Sequence, residues 1–184
     1  EDYLLYMSQA QKHQDLYFVG KMSGFYLATT NASNGETYAD ATNVQVEAVT
    51  GKTNTYYLTF TNSLNPKQYI GVTNTYNNGS WHDNVFLAES TTSEGTDPYT
   101  FEFEFSAEYK TLIATLEGVK SGKDQNDTET KTVSYFLGTS GGYYTFGVMP
   151  VEEMEGAYVG KLVKMVDKST IQPADKVASE KQAL

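Results

Sequence analysis

The chain has no cysteine among its 184 residues. That removes a disulfide framework, a thiolate nucleophile and any Cys-ligated zinc together. Histidine is nearly as scarce. His13 and His82 lie too far apart to form the one-turn pair that holds zinc on a helix. No Gly-x-Ser-x-Gly turn accompanies them, so a Ser-His-Asp site built on His82 has no support in the sequence. Neither a metal nor a cofactor is expected. Positive charge is short as well, with 13 Lys and Arg against 23 Asp and Glu and a net charge of −10. A phosphate backbone needs clustered cations, so nucleic acid is not an expected partner, and an anionic membrane surface is disfavoured for the same reason. No apolar run approaches the roughly 18 residues of a membrane helix, so membrane insertion is not expected either.

What is present is aromatic. Fifteen tyrosines and nine phenylalanines gather in short runs, among them 16–19, 55–60 and 99–105, separated by Asn, Gly, Thr and Ser. Short β-rich segments bounded by turn formers are the signature of antiparallel structure. Strands are predicted near 16–20, 25–30, 44–49, 55–61, 68–72, 85–88, 99–106, 110–116, 131–138, 143–149 and 157–166. The fold expected is all-β: an antiparallel β-sandwich or partly closed barrel of about ten short strands, with a short N-terminal helix or arm. A β-trefoil-like barrel is the alternative.

Residues 15–166 form a single β domain on this reading, flanked by segments 1–14 and 167–184. In the first, Tyr3, Leu4, Met7 and Ala10 recur at helical spacing, with acids at the start and Lys12 and His13 at the end, so a helix or a linker is predicted there. The second is polar, contains Pro173, and reads as a peripheral tail. Tyr99 to Phe105 is the clearest strand. Tyr99, Phe101, Phe103 and Phe105 should share one face, with Thr100, Glu102 and Glu104 on the other. A face of four aromatics needs cover, so that strand is expected to be core.

The most ligand-like segment is 73–84, read as a long loop. It holds the only tryptophan, Trp81, beside Tyr76, His82, Asp83 and Asn84. Exposed aromatics stack on sugar rings while neighbouring amides and carboxylates bond hydroxyls, so these five are the candidate ligand-binding residues. The rival role, which carries the greater weight for a lone tryptophan, has Trp81 plugging the end of the sandwich with its indole N–H satisfied by a carbonyl. Tyr143 and Tyr144 form a second candidate platform, although ordinary cross-strand packing carries the greater weight for them too. The acidic stretch Asp124 to Glu129 offers oxygen ligands of the kind calcium takes, but lacks the loop glycine and distal Glu of an EF-hand and reads first as a solvated loop. Glu102 with Glu104, and Glu152 with Glu153 and Glu155, are the carboxylates a glycosidase would need in facing pairs.

Tyr135-Phe-Leu-Gly-Thr-Ser-Gly-Gly-Tyr-Tyr-Thr-Phe-Gly147, preceded by a hairpin from Tyr56–Thr61 to Tyr69–Val72, resembles a motif of β-rich accessory modules of unknown function in secreted multidomain proteins of gut bacteria. In those modules a Tyr-x-Leu-Gly-Thr strand, a short turn and an aromatic-Thr strand recur near the domain's end. The resemblance spans residues 15–166 and implies an exported accessory domain without established catalysis. It carries over no functional residues. The function expected is therefore a non-enzymatic binding or accessory module, extracellular or on the cell surface, with a glycan or another protein as partner. Two alternatives stand beside it: a structural or assembly protein of an envelope, appendage or virion, docking through 1–13 or 167–184, and a small glycoside hydrolase using paired carboxylates.

Overall fold

A computed structural model describes residues 2–11, 14–63 and 66–164. The predicted tail at 167–184 and His13 lie outside the described residues. Fourteen strands run through the described chain: β1 (Asp2–Gln11), β2 (Gln14–Ser23), β3 (Tyr26–Thr29), β4 (Asn43–Ala48), β5 (Thr55–Phe60), β6 (Gln68–Asn77), β7 (Ser80–Ala88), β8 (Tyr99–Thr100), β9 (Phe103–Ser106), β10 (Thr111–Val119), β11 (Lys131–Thr139), β12 (Thr145–Pro150), β13 (Tyr158–Val159) and β14 (Lys161–Lys164). Three single-turn 3₁₀ segments, at Ala32–Asn34, Tyr38–Asp40 and Val151–Glu153, are the helical structure among the described residues.

The protein is all-β, and every strand pairing is antiparallel. Hydrogen bonding runs in the order β14-β1-β2-β3-β12-β11-β10-β9-β5-β6-β7. Strand β4 pairs with both β5 and β1, so the ladder returns to its start and encloses the core in a partly closed ring. Inside it lie Leu5, Phe18, Leu58, Phe103, Tyr135 and Phe146, each at most 2 % exposed. Each such side chain contributes about 1.5–3 kcal/mol of burial, which is what closes the ring.

The N-terminal segment is corrected by this architecture: residues 2–11 are strand β1, neither helix nor linker. The helical spacing has a local cause. Leu5 and Met7 point into the main core while Leu4 and Tyr6 pack in a second cluster with Tyr17 and Val163, which is the alternation of a strand covered on both faces. A β-bulge between Met7 and Gln11 then breaks the period. Gln9 takes the left-handed φ of 52° and its amide donates to Asp15 Oδ1 at 2.8 Å. The extra residue turns Ala10 inward three positions after Met7, and an i, i+3 apolar pair results without a helix.

The strand predicted at 99–106 is corrected in part. It splits in two, because the chain changes neighbour at Phe101 and Glu102. Strand β8 pairs with β6, whereas β9 pairs with β5 and β10. Phe103 and Phe105 join the main core as expected. Phe101 is buried on the opposite face of β5–β7, ringed by Tyr69, Phe86 and Tyr99 at centroid distances of 5.2–6.2 Å. Gly71 makes that cluster possible: a Cβ there would stand 2.6 Å from the Phe86 ring and 2.7 Å from Phe101.

Candidate functional site

The 73–84 segment is not a loop. It is the distal half of the β6–β7 hairpin, in register from Tyr69↔Ala88 to Asn77↔Ser80. The two-residue Asn78-Gly79 turn closes it, with φ of 49° and 82°, both positive as a type I′ turn requires. Alternation along the hairpin sorts the five candidate residues onto two faces. Tyr76 faces Trp81 directly, edge to face at 5.5 Å. The Trp81 indole N–H donates to the Asp124 carbonyl at 2.9 Å, and the Tyr76 hydroxyl donates to the Lys123 carbonyl at 2.9 Å. The Lys120 ammonium lies 5.0 Å over the Trp81 ring. Both aromatics thus hold the 120–124 segment against the hairpin, in the geometry of a plug.

Asp83 shares their face. It accepts from the Asn74 amide at 3.0 Å and from the Tyr135 hydroxyl at 2.8 Å. Asn74, 1 % exposed, also donates to the Lys120 carbonyl and accepts from the Lys120 amide. Burial first, then the charge of Asp83 and its hydrogen bond, and last the charge of Glu152, push the Tyr135 hydroxyl above the ordinary tyrosine range, so it stays a donor. His82 and Asn84 lie on the opposite face. His82 Nε2 sits 3.0 Å from the Asn77 carbonyl and 3.0 Å from Ser80 Oγ, and Asn84 donates to Thr75 Oγ1 at 2.8 Å. The five residues therefore form no common cleft.

Three of the candidate carboxylates are similarly engaged. Glu102 pairs with Lys52 at 2.6 Å, and its hydrogen bond and charge raise the lysine's pKa. Asp124 and Asp127 each accept a backbone amide two residues on, from Asn126 and Glu129. Among the described residues, no three His, Asp or Glu side chains gather where they could hold a metal ion.

A different place has the shape of a site. A groove of about 560 Å³ opens between the β2–β3 turn, the end of β11 and strand β12. Its lining comprises the hydroxyl-bearing Ser23, Thr139, Ser140 and Thr145, the rings of Tyr26 and Tyr143, the apolar Val148 and Met149, and two glycines, Gly138 and Gly147. Tyr26 is 55 % and Tyr143 69 % exposed, the two most exposed of the large hydrophobic side chains among the described residues. None of the ten lining residues carries a charge. Pairing of β3 with β12 at Phe146↔Leu27, and of β12 with β11 at Gly138↔Gly147, fixes the walls relative to one another.

Of these residues, the sequence alone singles out Tyr143, and it places Tyr26 in an ordinary strand. The available signal is Ser23-Gly-Phe-Tyr26, where a turn leaves Phe25 at its tip, 52 % exposed, and sets Tyr26 opposite Ser23. Comparison with protein-family models, with curated proteins and with solved structures finds no match to this chain.

Proposed function

We propose that the protein is a non-enzymatic extracellular or cell-surface binding module and that the groove between Tyr26 and Tyr143 holds a glycan. One observation carries this: two tyrosines, each more than half exposed, line an open cleft together with four hydroxyl-bearing side chains. Aromatic surface left to water at a concavity marks a place suited to being covered. Tyrosine rings offer a sugar an apolar face and a polar tip, and the volume lies within the roughly 300–1,000 Å³ usual for small-ligand sites. The extracellular placement rests on the resemblance of Tyr135–Gly147 to modules of secreted proteins.

The 73–84 hairpin supports this reading less well, because Trp81 and Tyr76 spend their polar atoms on Asp124 and Lys123. For an assembly protein docking through 1–13, the difficulty is that residues 2–11 are a central strand. No observation favours the hydrolase. Affinity electrophoresis against immobilised polysaccharides tests the proposal. Retardation by at least one of them should vanish in Tyr26→Ala and Tyr143→Ala with the thermal midpoint unchanged, and should persist in Trp81→Ala. Absence of retardation on every polysaccharide, or retardation indifferent to both tyrosines, overturns it.

A further inference from the structure

The geometry points to an uncharged oligosaccharide as the ligand class, held on a Tyr26 platform that Gly147 positions; this deepens the glycan reading and rests on it. The first ground is the lining. Ser23, Thr139, Ser140 and Thr145 present hydroxyls, which donate and accept like the sugar hydroxyls they would meet. Thr139 Oγ1 already accepts the Gly141 amide at 3.2 Å and keeps its proton to donate. A uronate or sulfate needs cationic or multiple N–H donors to replace its water, and the lining has no Lys, Arg or His. The second ground is the field. A chain of net charge −10 repels a polyanion before contact, whereas a neutral sugar chain is indifferent to it.

The third ground is how the platform is held. Tyr26 lies against the backbone of β12 at Gly147, where an added Cβ would stand 3.0 Å from Tyr26 Cδ1 and 3.6 Å from Cε1. Gly147 has no left-handed backbone angle, so an alanine there strains nothing except the ring above it. The missing side chain is therefore a seat. It leaves room for the Cδ1–Cε1 edge of the tyrosine against the β12 backbone, and a ring confined there loses less rotamer freedom when a sugar stacks on it.

The test is isothermal titration at low and at high salt, using neutral oligosaccharides (gluco-, manno-, xylo- and galacto-series) and acidic ones (oligogalacturonate, hyaluronate and sulfated fragments). At least one neutral series should bind with a salt-independent affinity, and the acidic set should not bind. Gly147→Ala should weaken that affinity about tenfold, with an unchanged thermal midpoint. Tyr26→Phe should retain it and Tyr26→Ala should lose it. An acidic ligand bound through the same tyrosines overturns the neutrality inference and leaves the glycan reading standing. Full affinity in Gly147→Ala removes the seat. Failure of both sets takes down the glycan reading and this inference with it.

Discussion

Tyr135 shows how far one hydroxyl can be committed by its surroundings. Its ring is part of the main core, and its O–H reaches Asp83, which Asn74 also bonds. Because the folded-state pKa is raised, the stabilisation this hydroxyl contributes is fully present below the unfolded tyrosine value of about 10 and is lost as pH climbs from there towards the higher folded value. Denaturant midpoints followed upward from pH 9 should fall more steeply for the native chain than for Tyr135→Phe. Equal slopes would contradict that commitment. Trp81 is bound as firmly. Trp81→Ala removes the Asp124 hydrogen bond, the Tyr76 contact and the Lys120 contact together, and should cost about 2–3 kcal/mol in urea denaturation. A cost near zero would mean the 120–124 segment needs no anchor.

At the scale of elements, the strands between Leu16 and Val119 were mostly legible. So were β11 and β12, because alternating Thr, Tyr, Phe and Val bounded by Gly and Asn have few other ways to pair. Two regions were not. A bulge at Gln9 produced a helical spacing in β1, and covering both faces of that strand erased its alternation. In the outer half of the β6–β7 hairpin, Thr, Asn, His and Asp look like loop composition, although the Asn78-Gly79 turn was a hairpin signal in plain view. The groove was half legible for a related reason. Tyr143 follows a Gly-Gly pair and reads as a second candidate platform, although cross-strand packing carries the greater weight, while Tyr26 sits in a strand where a ring is ordinarily packed. Gly71 offers a test at this scale. Gly71→Ala drives a methyl group against Phe86 and Phe101 and should destabilise by about 1–3 kcal/mol through overpacking, measurable as a lowered thermal midpoint.

For the molecule as a whole, the decisive pairings join distant parts of the chain. Strand β1 meets β14 and β4 as well as its neighbour β2. Non-local antiparallel pairing is slow, because loop-closure entropy is spent before contacts repay it, so refolding should take milliseconds to seconds or longer at about 25 °C. Stopped-flow fluorescence on Trp81 measures this, and a microsecond relaxation would be inconsistent with the topology. Deleting residues 1–13 removes the hub of the ring. The truncated chain should lose its cooperative melt, and a native-like melt would show β1 to be dispensable.

The antiparallel register of β1 with β14 also sets how the domain answers to force. Tyr3 sits beside Lys164 and Tyr6 beside Lys161, so tension applied at Asp2 and Lys164 enters one ladder at a single end. Its rungs then part in succession, like a zipper, instead of sharing the strain in shear. Tethered between those two points, the fold yields at its seam under a gentle pull, and the peeling runs from Lys164 back towards Lys161, stopping just short of β13, whose Val159 pairs with Gly138 of the groove.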